Sequence, residues 1–84
     1  MENSILVTVR PFVMEQEVAV YMDDIPVEVI KCNLNEIEEA ISTLSNKFHI
    51  YKVDISGGNQ IYCNKIKENL ATKYSFNDID IVVH

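Results

Sequence analysis

The sequence predicts a single small α/β domain in which five strands form one mixed sheet and two helices pack against it. Three observations support this prediction: five short runs rich in β-branched and apolar residues, two longer stretches with apolar residues at helical spacing, and the element order βββαβαβ. The 84 residues fit one domain, 1–84. A hydrophobic content of 48% with only two Gly and two Pro is typical of a folded chain.

The first three strands are predicted to form an antiparallel meander. Residues 4–10 are apolar at most positions, which favours a central strand, and Pro11 is expected to end its regular ladder. Residues 17–22 follow a short polar connection and place Val18, Val20 and Met22 on one face, and the short spacing predicts an antiparallel hairpin with the first strand. Residues 23–26 have the composition of a turn, and residues 27–32 are expected to return as the third strand.

The apolar period changes from two to 3.6 at Asn33, which predicts the first helix. Its start is marked either by Asn33 with Glu36 or by Asn35 with Glu38, since each pair resembles a capping box. The apolar stripe of this helix comprises Ile37, Ala40, Ile41, Leu44 and Phe48.

The second half of the chain is predicted to alternate strand and helix. Residues 49–55 are expected to form the fourth strand, residues 60–74 the second amphipathic helix and residues 78–83 the fifth strand. The inward side of the second helix comprises Tyr62, Cys63, Ile66, Leu70 and Tyr74.

This order of elements resembles the core of the ribonuclease H-like fold, in which a meander of three antiparallel strands precedes two crossovers through helices. The resemblance covers nearly the whole chain and lies in the order of the elements. It implies the strand order 3-2-1-4-5, with only the second strand running against the others. Both crossovers then travel in the same direction, so their right-handedness places both helices on one face. We expect the opposite face to lack a covering layer.

The uncovered sheet face is the predicted interaction surface. Alternate residues of a strand point to opposite faces, so this side is expected to combine polar side chains with an exposed apolar patch. The predicted surface comprises Leu6, Thr8, Ala19, Tyr21, Ile30 and Val82. Patches of this kind mark partner surfaces, whereas the simpler interpretation is an amphipathic sheet with a hydrated outer side.

The charge is unevenly distributed along the chain. Of the net −6, residues 1–39 carry −7, from nine acids against Arg10 and Lys31, and residues 40–84 carry +1, from four acids and five lysines. This balance argues against direct binding of nucleic-acid phosphates, which needs a basic face. An acidic rim on the first hairpin is expected to tune solubility or orient a basic partner. It comprises Glu15, Glu17, Asp23 and Asp24.

The residue patterns of known catalytic sites are not recognised in the sequence. Ribonuclease H-like nucleases bind two divalent metals through several carboxylates, one of them near the middle of the first strand, whereas residues 5–9 contain no acid. Asp54 and the glutamates of the first helix could correspond to other carboxylates of such a metal site. The simpler interpretation is that they are solvated surface charges. His49 and His84 lack metal-ligand spacing. We therefore expect a non-enzymatic protein without catalytic residues, metal or cofactor.

A Gly-rich turn between the fourth strand and the second helix is an anion-site candidate. It comprises Ser56, Gly57, Gly58 and Asn59. Its backbone amides could meet an anion at the helix N-terminus, and actin-like ATPases, which share the ribonuclease H-like core, use Gly-rich turns there. No GxGxxG or GxxxxGK[ST] pattern accompanies the turn. The simpler interpretation is that the glycines permit a tight turn and close packing.

Cysteine usage and hydropathy together favour a cytoplasmic location. Cys32 and Cys63 stand 31 positions apart without secretory features, which favours reduced core thiols over a disulfide or a metal pair. No apolar run approaches the ~20 residues that span a bilayer, and no signal-peptide pattern is visible. We expect a cytoplasmic protein that does not bind membranes.

Three functions are compatible with these patterns. The leading hypothesis is a non-enzymatic protein-binding or regulatory module that forms a homodimer, or docks on a protein partner, through the uncovered sheet face. The second is an acidic mimic of nucleic acid that inhibits a DNA- or RNA-binding protein, which predicts salt-sensitive binding to a basic protein. The third is a reduced ribonuclease H-like or nucleotide-binding domain, which predicts heat release on addition of Mn²⁺ or ATP.

Overall fold

A computed structural model describes residues 3–10 and 12–84, so the predicted role of Pro11 falls outside the described residues. The described chain folds into five strands, two α-helices and one short 3₁₀ helix. These are β1 (Asn3–Val9), β2 (Glu15–Met22), β3 (Ile25–Asn33), the 3₁₀ helix (Leu34–Glu36), α1 (Ile37–Lys47), β4 (Ile50–Gly57), α2 (Gln60–Thr72) and β5 (Asp80–Val83).

The strands form one sheet in the order β3-β2-β1-β4-β5. β1 pairs antiparallel with β2 and parallel with β4, β2 pairs antiparallel with β3, and β4 pairs parallel with β5. Only β2 therefore runs against the others. The predicted mixed sheet, its strand order and its two helices are confirmed.

The hydrophobic core lies between the sheet and the two helices. It contains alternate residues of four strands together with the apolar stripes of both helices, and all of them form one cluster. The strand members are Ile5, Val7, Val9, Val18, Val20, Ile50, Val53, Ile55 and Ile81, and the helix members are Ile37, Ala40, Ile41, Leu44, Cys63, Ile66 and Leu70. Both helices belong to this one cluster, whose strand members point to one side of the sheet, so they cover the same face.

The turn between β2 and β3 is shorter than the sequence suggests. Met22 pairs with Ile25, so the turn proper consists of Asp23 and Asp24, and Pro26 already belongs to β3. Asp23 has φ of 56°, a left-handed conformation that aspartate tolerates better than most residues. Pro26 is accommodated because β3 is an edge strand and the ladder is irregular beside it.

The start of α1 follows the first of the two predicted capping pairs. A carboxylate oxygen of Glu36 accepts a hydrogen bond from the backbone N–H of Asn33 at 3.0 Å. Glu38 instead accepts from the side-chain amide of Asn69, also at 3.0 Å. The first turn is 3₁₀ in form, which is common at helix termini, so the α-helix itself begins only at Ile37.

The connection between β1 and β2 is organised by a buried amide. Gln16 is 0% exposed. Its Oε1 accepts from the backbone N–H of Arg10 at 2.8 Å, and its Nε2 donates to the carbonyl oxygens of Arg10 and Val13 at 2.8 and 2.6 Å. The Arg10 guanidinium adds a bond to the carbonyl of Glu15 at 3.0 Å. The side chains of Gln16 and Arg10 therefore tie Arg10, Val13 and Glu15 together.

Among residues 3–10 and 12–84, no helix has the length and apolar character needed to cross a membrane.

Candidate functional site

The sheet face turned away from α1 and α2, called the outer face, is the candidate functional site. No element of the described residues packs over it. Strand alternation and the pairing register assign the following residues to it: Ser4, Leu6, Thr8, Glu15, Glu17, Ala19, Tyr21, Val29, Lys31, Asn33, Lys52, Asp54, Ser56, Asp80 and Val82.

An apolar row crosses the outer face near its middle. The register aligns Val29 of β3, Ala19 of β2 and Leu6 of β1, and continues through Asp54 to Val82 of β5. Leu6 is 38% exposed and Val29 48% exposed, while Ala19 and Val82 are half-buried. Three adjacent strands therefore present a continuous apolar strip with water on one side.

The expected position of Ile30 on this surface is wrong. Ile30 pairs with Val18, which is fully buried, so it faces the helices and packs against the core. Val29, its neighbour, pairs with Ala19 and occupies the outer face instead. Neighbouring residues of a strand point to opposite faces. The prediction was therefore off by one residue in β3, and Val29 takes the place assigned to Ile30.

Two polar rows flank the apolar row. On one side, Lys31 pairs with Glu17 and Glu17 pairs with Thr8, and all three are exposed. On the other side, half-buried Tyr21 pairs with Ser4. Five of the six residues predicted for the interaction surface, Leu6, Thr8, Ala19, Tyr21 and Val82, thus lie together on the outer face.

A cluster of paired charges occupies the β4–β5 side of the outer face. Oδ1 of Asp54 lies 2.9 Å from Nε2 of His84 and 3.5 Å from Nζ of Lys52. The outer face carries two lysines and four acids, a formal charge of −2, whereas the chain carries −6. Most of the excess negative charge therefore lies on other surfaces.

The structure does not bring the predicted acidic rim together. Glu15 and Glu17 lie at the start of β2, and Asp23 and Asp24 form the turn at its other end. The eight residues of β2 separate the two pairs by about 25 Å, at about 3.3 Å per residue. All four side chains are exposed, and they form two separate acidic spots rather than one rim.

The Gly-rich turn is used for packing and capping. A Cβ on Gly57 would lie 2.4 Å from the carbonyl oxygen of Val9, so glycine is needed where β4 approaches β1. Ser56 belongs to β4, and Gly58 has open space around it. Oδ1 of Asn59 accepts from the N–H of Tyr62 at 3.0 Å and caps α2. The cap therefore occupies a donor that an anion would use.

The carboxylates considered for a metal set lie on opposite sides of the sheet. Asp54 is on the outer face, whereas Glu36, Glu38 and Glu39 belong to the helical layer on the other side. Within the part of the chain that the structure describes, no three His, Cys, Asp or Glu side chains are grouped as a metal site would require.

Sequence reasoning missed a cleft at the end of the sheet where β1 and β3 end and β2 begins. It has a volume of about 440 Å³. Its walls are Phe12, Val13, Met14, Asn33, Leu34, Asn35 and Tyr62. The hydroxyl of Tyr62 donates to the carbonyl oxygen of Leu34 at 2.8 Å and closes one side. The available signal was the apolar run at residues 12–14 inside a connection that otherwise looks polar.

Both cysteines are free thiols. Burial raises the pKa of the Cys63 thiol, and burial together with the nearby charge of Glu36 raises the pKa of the Cys32 thiol. Only the thiolate is nucleophilic, so neither residue is suited to attack a substrate at neutral pH.

We expect Cys63 to react with a thiol reagent at least tenfold more slowly in the native protein than in urea, because it is buried as well as protonated. Half-buried Cys32 should react at an intermediate rate. Both rates should rise with pH as thiolate forms, at higher pH than for a free thiol because the pKa values are raised. Absorbance assays on Cys32→Ser and Cys63→Ser separate the two thiols. Rapid native labelling of the Cys32→Ser variant would contradict the buried position of Cys63.

Comparison of the chain with protein-family models, with curated proteins and with solved structures found no match.

Proposed function

We propose that this protein is a non-enzymatic protein-binding module that self-associates through the outer face. The observation that carries this proposal is the strip formed by Val29, Ala19 and Leu6, which crosses three adjacent strands without a covering layer among the described residues. Exposed apolar patches on small proteins mark association surfaces because burying them removes apolar area from water.

The charge of the outer face supports a second copy as the partner. Two lysines and four acids flank the apolar strip, so charges of both signs can pair when two such faces meet. Two-fold contacts use the same patch on both subunits and therefore need a self-complementary surface. A strongly acidic face would instead favour a basic partner, and the excess acids of this chain lie elsewhere.

An interface of standard size would take a modest share of the surface of this chain. Five strands about 4.8 Å apart make a surface roughly 20 Å wide, on a molecule with extents of 34 × 25 × 20 Å. A standard interface takes about 800 Å² from each partner. That area would be about 15% of the 5259 Å² accessible surface of the chain.

The expected result is a concentration-dependent dimer that Leu6→Asp weakens at least tenfold. The substitution places a charge in the middle of the apolar strip, and it should leave the fold intact because Leu6 is already 38% exposed. Sedimentation velocity over a wide range of protein concentration measures the association, and circular dichroism checks the fold.

Ile61→Asp is the matched control, since Ile61 is 85% exposed on α2, away from the outer face. It should dimerise like the wild type. A wild-type protein that stays monomeric at about 1 mM would remove the proposal, and so would a dimer that Leu6→Asp and Val29→Asp leave unchanged.

A further inference from the structure

A histidine and an aspartate form a close pair on the outer face, beside the apolar strip. Nε2 of His84 lies 2.9 Å from Oδ1 of Asp54. The register places Asp54 between Leu6 of β1 and Val82 of β5, in the same row as the apolar strip. A second copy that covers this strip therefore also takes water away from the pair.

His84 is held in position although it follows the last residue of β5. Its backbone N–H donates to the carbonyl oxygen of Ile55 at 2.8 Å, and its carbonyl oxygen accepts from the side-chain amide of Gln60. Alternation along β5 turns its ring to the same face as Asp80 and Val82. The side chain is 53% exposed, so the ring can take up a proton from solvent.

The charges around His84 do not balance while its ring is neutral. β4 contributes Lys52 and Asp54, whose Nζ and Oδ1 are 3.5 Å apart, and β5 contributes Asp80, which lies opposite Lys52 in the register. The β1 residues of the outer face are uncharged, and α2 meets His84 through the uncharged amide of Gln60. One lysine thus serves two carboxylates, and a proton on His84 brings the local charge from −1 to zero.

Histidine is the side chain that ordinarily changes its charge between about pH 5 and 8. The chain has two histidines. His84 is beside the last residues of β4, whereas exposed His49 precedes the first residue of that strand. With two lysines and four acids, the outer face carries −2 while His84 is neutral and −1 once it is protonated.

We infer that His84 is a pH sensor that strengthens self-association when it is protonated. This inference rests on the proposed dimer through the outer face. Covering an ionised carboxylate such as Asp54 is costly unless a cation is paired with it, and protonated His84 supplies that cation. Because the charged ring favours the dimer, association strengthens as the pH falls through the range in which histidine takes up a proton, and it weakens as the pH rises again.

Sedimentation velocity at two pH values and constant ionic strength tests the inference. The dissociation constant of the wild-type dimer should be at least fivefold lower at about pH 5.5 than at about pH 7.5. Aspartates and glutamates ordinarily take up protons only near pH 4, so they stay ionised in this range. Circular dichroism at both pH values checks that the fold is intact.

His84→Gln keeps a polar side chain at this position but cannot carry a charge. Its dimer should match the wild type at the higher pH and should not become tighter at the lower pH. The sequence pI is about 4.7, and a low net charge promotes non-specific association. Such association would appear equally in the wild type and in this variant, so the comparison separates it from the effect of His84.

Two further variants locate the effect. His49→Gln is the matched control, because it removes the other imidazole of the chain away from the outer face, and it should keep the full pH effect. Asp54→Asn removes the carboxylate that needs the cation and leaves Lys52 opposite Asp80. Its dimer should be at least as tight as the wild type at the higher pH and should gain nothing on acidification.

Three outcomes would overturn the inference while leaving the proposed dimer in place. They are a wild-type dissociation constant that is the same at both pH values, a pH effect that His84→Gln retains, and a pH effect that His49→Gln removes. A wild-type protein that stays monomeric at both pH values would instead contradict the proposed function, and the inference with it. The two failures are therefore distinguishable.

Discussion

Replacing Gly57 by alanine is expected to lower the free energy of unfolding by about 3 kcal/mol or more. The new Cβ would lie 2.4 Å from the carbonyl oxygen and 2.9 Å from the Cβ of Val9, and Gly57 has φ of 154°, which residues with a side chain rarely adopt. Val9 is a buried member of the core, so it cannot move aside freely. Two adjacent parallel strands must separate to admit the methyl group.

Gly58→Ala is the matched control for this substitution. A Cβ on Gly58 meets no atom within 4 Å, so its unfolding free energy should change by less than about 1 kcal/mol, with a small gain from the restricted unfolded chain. Urea unfolding followed by circular dichroism measures both variants. Equal stability of the two variants would show that β1 and β4 do not approach as closely as described.

Gln16→Leu is expected to cost about 3 kcal/mol, the second large effect. Leucine has a similar volume but leaves the N–H of Arg10 and the carbonyl oxygens of Arg10 and Val13 without their partner. Each buried polar group left unpaired costs about 1–3 kcal/mol. The melting temperature should fall by about 12 °C or more, since 1 kcal/mol corresponds to about 4–8 °C in a domain of this size.

The control for Gln16→Leu is Gln60→Leu, which makes the same chemical change at an exposed position where the side chain donates only to the carbonyl of His84. Its effect should stay below about 1 kcal/mol. Thermal melts monitored by circular dichroism compare the two variants. If Gln16→Leu melted within about 3 °C of the wild type, the β1–β2 loop would not depend on its buried amide.

The sequence predicted the architecture because its periodicities are clear. The alternation in residues 17–22 and the helical spacing from Ile37 to Leu44 both survive in the structure as one buried side per element. The order of these elements, combined with the right-handedness of crossovers, then left one arrangement of the sheet. The pairing of Asn33 with Glu36 was one of the two helix starts considered, and in the structure Glu38 accepts from Asn69 instead.

The composition of the outer face could be predicted only in part. β3 has apolar residues at both parities, Val29 and Ile30 among them, and it is an edge strand with both sides partly exposed. Alternation therefore cannot decide which residue faces outward. The two-residue turn and the irregular pairing beside Pro26 set the register, and both depend on the folded β2–β3 hairpin rather than on any local pattern.

The cleft could not be predicted because its walls come from distant parts of the chain. Tyr62 and Leu34 are brought together by a hydrogen bond across 28 residues. The position of Phe12 depends on the bonds that Gln16 makes to the loop backbone. In the sequence, Gln16 is one polar residue among several, and nothing local indicates that it is fully buried.

The two edge strands of the sheet limit how far the proposed self-association can proceed. On β3, Pro26 removes one backbone donor and Lys31 places a charge, while β5 offers only four residues. Short edge strands, and edge strands with proline or charged residues, discourage the addition of strands from other molecules. A two-fold dimer formed through the outer face would bury that face on both subunits. Such a dimer is closed, so it would not extend into a fibre.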